Sequence, residues 1–331
     1  MLKLQASKLA RLLACVGIVA AVACGGGAGG QGPVVPTTST EITAEQIDKD
    51  PLILFPSNAI SIGTVDAKAF YASATLGPQV AQLAELYSPL GPEAGFAASK
   101  DLDRVTVASY SLSGVDVLAV LVGRFDQTKL AQLAKTHGAA KSGSAIVEST
   151  YAGRTLYTVD NIGFTMLTAK TVVAGTETAI RRALDRVKDG RGKRDVFPWM
   201  LEVVETQGAA LAVAADFKNQ PLSGAAIQGM RIPATEGLTA VRVLGTFHEP
   251  GLQLAGAMTY DTEANAQKGL SGFNKLVLMY KAYSGMSGTV PQLRDVTSTL
   301  EKTDVQVKLS VDDQSLRTFL GKVPQLFPPP R

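Results

Sequence analysis

From Val305 to Val311 the chain alternates, with Val305, Val307, Leu309 and Val311 set against Gln306, Lys308 and Ser310. A period of two predicts a strand buried on one face. Elsewhere the apolar residues recur three and four apart. Ile180, Ala183, Leu184 and Val187 mark the inner face of a helix over residues 177–188, with Thr176 as its cap. Leu270, Phe273, Val277 and Tyr280 give one buried stripe on a long helix from about 263 to 283. Thr43 with Gln46 three residues on predicts a capped short helix ending at Lys49. A strand is expected over 59–65, then a helix over 67–87 interrupted at Gly77-Pro78, with Val80, Leu83, Ala84 and Tyr87 as its stripe. A hairpin over 105–110 and 115–122 turns at Ser113-Gly114, and a helix over 128–137 buries Leu130, Leu133 and Ala134. Short strands follow at 145–150, 155–159, 163–167 and 171–174, with Gly153 and Asn161 at turns. A last helix carries Leu316, Phe319 and Leu320.

The order of elements repeats. AALAVAADFK (209–218) echoes AISIGTVDAK (59–68), and Asp216/Lys218 match Asp66/Lys68. A second hairpin, over 241–247 and 252–259, follows as the first one does. The expected fold is therefore α+β: two similar halves, each a mostly antiparallel sheet packed with helices. The halves are placed at residues 43–190 and 191–323, divided in the charged run KDGRGKR (188–194), read as a solvated loop. Residues 324–331 are expected to be an extended, proline-rich tail. The strings Phe55-Pro56-Ser57-Asn58-Ala59 and Ala174-Gly175-Thr176-Glu177 resemble exported bacterial proteins built from repeated strand–helix–hairpin units, a resemblance that implies no activity.

The longest apolar run lies before all of this. Leu12 to Ala23 is twelve residues without a charge, preceded by Lys3, Lys8 and Arg11. A bilayer core needs roughly 20 residues, so the run is an export signal rather than a span. Its end, Ala21-Val22-Ala23-Cys24 followed by Gly25, resembles the lipobox of bacterial lipoproteins. That resemblance implies a signal peptide over 1–23 and fatty acylation of Cys24. It also implies attachment in the cell envelope, at the outer membrane in a Gram-negative cell, facing the periplasm or the surface. The glycine-rich residues 24–42 are expected to be a flexible tether.

Charge and cysteine count follow from that cut. Removing the three signal-peptide bases from the 32 Lys and Arg leaves 29, against 29 Asp and Glu. The mature chain thus lacks the net basic footprint that nucleic-acid binding requires. Cys15 and Cys24 are the two cysteines. One leaves with the signal and the other is acylated, so no disulfide is expected and burial must hold the fold.

Catalytic patterns are sparse. His137 and His248 are the two histidines, with no nucleophile or metal-ligand spacing around either. Carboxylate pairs occur at Asp101/Asp103, Asp261/Glu263 and Asp312/Asp313. They could serve hydrolysis or calcium binding, but each stands where a helix N-terminus or strand start wants an acid. No catalytic residue, metal site or cofactor is expected. Trp199 and Leu201 are expected to pack between the halves, with Trp199 lining a groove as the sharper alternative. Tyr280 and Tyr283 are further candidates for a ligand or partner surface.

The leading expectation is a non-catalytic envelope lipoprotein, held by acyl chains on Cys24, that binds an envelope protein or helps assembly. A carrier of a small apolar ligand or lipid is the second reading, and a carboxylate-based hydrolase the third.

Overall fold

The computed structural model describes residues 40–88, 92–112, 116–135, 145–159, 162–222, 226–227, 230–231, 235–247, 251–287 and 290–326. Cys15, Cys24, His137, His248, the 113–114 turn, Asn161 and residues 327–331 lie outside them. In chain order the elements begin α1 (Ala44–Lys49), β1 (Ser61–Asp66), α2 (Ala67–Ala72), α3 (Gly77–Tyr87), α4 (Ala98–Asp101), β2 (Leu102–Ser109) and β3 (Val117–Gly123). Next come α5 (Gln127–Lys135), β4 (Val147–Tyr151), β5 (Arg154–Val159), β6 (Ile162–Met166), β7 (Thr171–Thr176) and α6 (Glu177–Lys188). The remainder is α7 (Pro198–Val204), β8 (Leu211–Asp216), β9 (Ala226–Ile227), β10 (Met230–Arg231), β11 (Leu238–Phe247), β12 (Leu252–Tyr260), α8 (Glu263–Ser287), β13 (Leu293–Glu301), β14 (Asp304–Val311) and α9 (Asp313–Leu326). The fold is α+β with antiparallel strand pairing.

The chain forms two compact units, and they are not two consecutive halves. One unit joins Ile60–Tyr87 to the chain from Pro198 onward; the other holds Ser88–Phe197 with the described residues before Ile60. The division expected between 190 and 191 is corrected accordingly. The reason is strand pairing: β1 lies antiparallel to β8, with Ser61 opposite Ala215 and Val65 opposite Leu211. The two echoing strings are thus side by side. The Asp66 N–H donates to the Ala210 carbonyl at 2.9 Å, and the Asp216 N–H to the Ile60 carbonyl at 2.7 Å.

In the unit containing β8 the strand order is β13-β14-β12-β11-β8-β1. Its β14 matches the alternation: Val305 and Val311 are buried, Val307 and Leu309 half-buried, Gln306 and Lys308 exposed. Leu76, Leu252, Val311, Leu316 and Leu320 form a core, with Val80, Leu83 and Phe319 packed on it. Each such leucine fully buried contributes about 1.5–3 kcal/mol. The break expected at Gly77-Pro78 falls slightly earlier. Ser73 ends α2, its Oγ accepts the Leu76 N–H at 3.3 Å, and Gly77-Pro78 opens α3, where proline loses no hydrogen bond. Strand β13 has no counterpart among the expected elements, and α9 runs through Pro324 to Leu326, so the extended tail does not begin at 324. Pro324 has no N–H to give the Leu320 carbonyl, so the helix goes without one hydrogen bond near its end.

In the other unit the order is β2-β3-β7-β6-β5-β4. Helix α6 has the predicted ends and buries Ile180, Ala183, Leu184 and Val187. Thr176 stands at the N-cap but makes no side-chain cap bond; its hydroxyl meets Asp116 Oδ1 at 3.4 Å. Gly175 has φ +146°, and a Cβ there would sit 2.1 Å from the Val117 carbonyl oxygen, so only glycine permits β7 to approach β3 this closely. Helix α1 has the reciprocal Thr43–Gln46 cap. Residues 41 and 42, expected within the tether, are held: Arg154 pairs with Glu41 at 2.6 Å, and the buried Ile42 donates its N–H to the Val187 carbonyl at 2.9 Å, capping the end of α6.

The 188–194 run is not a loose linker. The buried Arg186 holds it from inside. Its Nε donates to the Ile53 carbonyl at 2.8 Å, its Nη2 to the carbonyls of Arg191 at 3.2 Å and of Lys193, and its Nη1 to Asp195 Oδ2. One guanidinium thereby satisfies three backbone acceptors and a carboxylate, which is what makes its burial tolerable.

Candidate functional site

Helix α8 carries the most unusual surface in the chain. Its 25 residues rise about 37 Å at 1.5 Å each. One face packs on β11, β12, β13 and β14. Two contacts fix its rotation. Gly269 lies against the buried Tyr260 ring so tightly that a Cβ would fall 2.2 Å from Tyr260 Cζ. Further along the helix the Tyr280 hydroxyl donates to the Pro291 carbonyl at 2.7 Å. Burial pushes the Tyr260 phenol up to about 12 and raises that of Tyr280 as well. The expected stripe Leu270, Phe273, Val277 and Tyr280 does face inward, but it is half-buried; the fully buried positions are the small Ala266, Gly269, Gly272 and Ser284.

The outward face changes character along the helix. In the first half it presents Gln267, Lys268, Ser271 and Asn274, all exposed. In the second half it presents Leu278, Met279, Tyr283 and Met286, which are 71%, 64%, 53% and 81% exposed. Among the described residues, eight large hydrophobics are exposed, and five of them lie between Leu276 and Met286. An isolated exposed apolar residue needs no explanation, but a contiguous patch marks a contact surface. A shallow open groove of about 420 Å³ runs beside it, lined by Gln267, Leu270, Ser271, Asn274, Lys275 and Leu278. Three of those six are neutral polar residues on a single helix, a poor enclosure for an apolar ligand.

Tyr283 is thus exposed on this face, while Tyr280 is tied to the inner one. Trp199 is elsewhere. It is half-buried on α7, with the Arg242 guanidinium 5.7 Å from its ring, and neighbouring Phe197 is exposed. Helix α7 buries Met200, Leu201 and Val204 and packs on β8, β1 and β11. Among the described residues no ring contact joins Trp199 to Tyr280 or Tyr283.

Several charged side chains make local contacts. Arg182 bonds both oxygens of Asp116, at 2.7 and 2.8 Å, and lies 4.5 Å over the Tyr110 ring. Of the carboxylate pairs, Asp101 accepts the Ala97 N–H at 2.8 Å and meets Arg124. Asp312 accepts the Ser315 N–H at 2.9 Å at the start of α9 and pairs with Arg294. Asp261 accepts from Asn265 Nδ2 at 2.8 Å. Among the described residues no group of three or more His, Cys, Asp and Glu could hold a metal ion, and no helix is long and apolar enough to cross a membrane.

No family model and no curated protein matches the sequence. The structure is similar to crystal form IV of TP0453, with a TM-score of 0.51 and 10% identity over 81% of this chain and 95% of that one. Crystal form III of TP0453 gives 0.50 and 9% over 82% and 98%. At such identity the likeness is one of fold alone.

Proposed function

We propose that the protein is a membrane-tethered lipoprotein of the cell envelope whose folded part works by binding rather than by catalysis. The observation that carries the binding role is the exposed apolar run Leu278, Met279, Tyr283 and Met286 on a helix whose other face is already packed. A soluble domain gains nothing from holding these side chains in water, so their placement is explained by a contact made there. The tether is read from the lipobox-like Ala21-Val22-Ala23-Cys24, and more than one acyl chain at Cys24 would hold the chain stably.

The two-halves reading belongs to the same proposal. Strands β2-β3-β7-β6 and β11-β12-β14-β13 follow one another in the same order. Each hairpin leads into a helix, α5 or α8, and β7 and β14 lead into α6 and α9. In this pairing the 25 residues of α8 answer to nine described in α5, which makes α8 the element that distinguishes the second half.

Radiolabelled palmitate tests the anchor. Label is expected in the mature chain and absent from a Cys24→Ala variant. A mature N-terminus at any other residue, or an unlabelled Cys24, would refute lipid attachment.

A further inference from the structure

A binding role for the α8 face leaves its occupant unnamed. Resting on that role, we propose that the outward face of the second half of α8 lies on a lipid bilayer bearing anionic headgroups, a contact separate from the acyl chains on Cys24.

Geometry comes first. At 100° per residue, Leu278, Ala282, Met286, Met279 and Tyr283 fall in that angular order within an arc of about 140°. The helix cannot roll to hide this arc, because Gly269 against Tyr260 and the Tyr280–Pro291 hydrogen bond fix the opposite face. Gly285 lies near this arc, and apart from its chain neighbours and its own helix backbone nothing comes within 4 Å of a Cβ position there. Around Gly285 the surface is therefore an open ridge, and the shallow groove that reaches Leu278 is lined, among the described residues, by α8 alone. Five side chains on such a ridge fall well short of the roughly 20–30 residues per partner in a standard protein interface. They match instead an interfacial helix, which lays an apolar strip into the boundary between headgroups and acyl chains. Two of the five are methionines, unbranched and adaptable, suited to a partner without fixed shape.

Charge selects the headgroup. After Glu263 the helix has Lys268, Lys275 and Lys281 and no acid up to Ser287. Lys268 is 3.4 Å from Glu236. Lys275 and Lys281 make no ion pair among the described residues. Lys275 lies within the apolar arc and Lys281 beside it, where their stems can run along the surface while the ammonium groups reach phosphates. The mature chain is neutral overall, so any preference for anionic lipid must come from such a local patch.

The test uses the full mature chain from residue 24 with Cys24→Ser, so that no acyl chain contributes. It is sedimented with vesicles of phosphatidylcholine alone or mixed with phosphatidylglycerol. Binding is expected to the mixed vesicles, to weaken with salt, and to fall at least about tenfold in Leu278→Ser/Met286→Ser, since each side chain withdrawn from lipid costs roughly that factor. Both residues are exposed, so the melting temperature of this variant should not change. Lys275→Gln/Lys281→Gln should remove the preference for phosphatidylglycerol and retain the weaker apolar binding. Failure of the parent chain to bind either vesicle, or undiminished binding by the serine variant, overturns the proposal. So does a dimer of the parent chain that the serine variant abolishes, which would assign the face to a second copy. None of these outcomes touches palmitate labelling of Cys24, so the anchor stands or falls separately.

Discussion

Helices α6 and α8 solve the same problem in opposite ways. Both lie against antiparallel strands and both carry apolar residues at helical spacing. In α6 every large apolar residue faces in: Ile180, Leu184 and Val187 are buried. Its outer face is charged and covered by its own partners. Arg181 pairs with Glu177 at 2.5 Å and lies 4.6 Å over the Tyr151 ring, whose hydroxyl donates to Asp185 at 3.0 Å. In α8 the fully buried positions are alanine, glycine and serine, and larger apolar residues stand outside. The first helix is complete within its unit. The second has apolar area left over, and the proposed external contact rests on that surplus.

The comparison is broken most severely at Arg186. Replacing it by methionine keeps much of the volume but leaves the carbonyls of Ile53, Arg191 and Lys193 without that donor, and Asp195 without its cation. Removing one member of a buried pair costs about 3–5 kcal/mol. Asp195 can turn toward water, so about 3 kcal/mol is expected, at the low end of that range. Urea unfolding measures the loss, and amide exchange should show residues 190–195 opening first. An Arg186→Met variant as stable as the parent would mean that α6 is held by its apolar face alone.

A smaller effect is expected at the inner face of α8. Gly269→Ala gains about 1 kcal/mol of helix propensity but drives a methyl into the buried Tyr260 ring. Overpacking of this kind costs about 1–3 kcal/mol. The net should be a destabilisation of up to about 2 kcal/mol in urea unfolding. Adding Tyr260→Leu should recover part of it, because the two changes share one contact and cannot be additive.

What the sequence disclosed divides along the same line. Local rules sufficed for α6, whose ends and buried residues follow from spacing, and for α1, whose cap involves residues three apart. They sufficed for β14, where alternation is unbroken. They missed β13 because its alternation is interrupted: Asp295 has φ +48°, and the pairing with β14 shifts between Arg294 and Thr297. They missed Arg186 because its partners are the Ile53 carbonyl, 133 residues away, and a loop whose fold back onto the guanidinium carries no periodic signal. In α8 the stripe Leu270, Phe273, Val277 and Tyr280 read from spacing does face inward, but spacing did not disclose the second, outward apolar face of Leu278, Met279, Tyr283 and Met286. Gly269 has no hydropathy signal at all, so its close packing on Tyr260, where a Cβ would fall 2.2 Å from Cζ, was not legible either.

The smallest predicted change is the sharpest probe of that asymmetry. If the outward apolar residues of α8 contribute nothing to folding, Met286→Ser should alter stability by no more than about 0.5 kcal/mol, the range of an exposed substitution. A core residue of α6 offers the contrast, since Leu184→Ala should cost about 2–5 kcal/mol. The two measurements together locate the surplus. A cost above about 1 kcal/mol for Met286→Ser would mean that another part of the chain covers this residue in solution, and α8 would then be as self-contained as α6. Stability unchanged in the isolated chain, with loss of vesicle binding by Leu278→Ser/Met286→Ser, would put the energy of these side chains in an external contact and none of it in the fold.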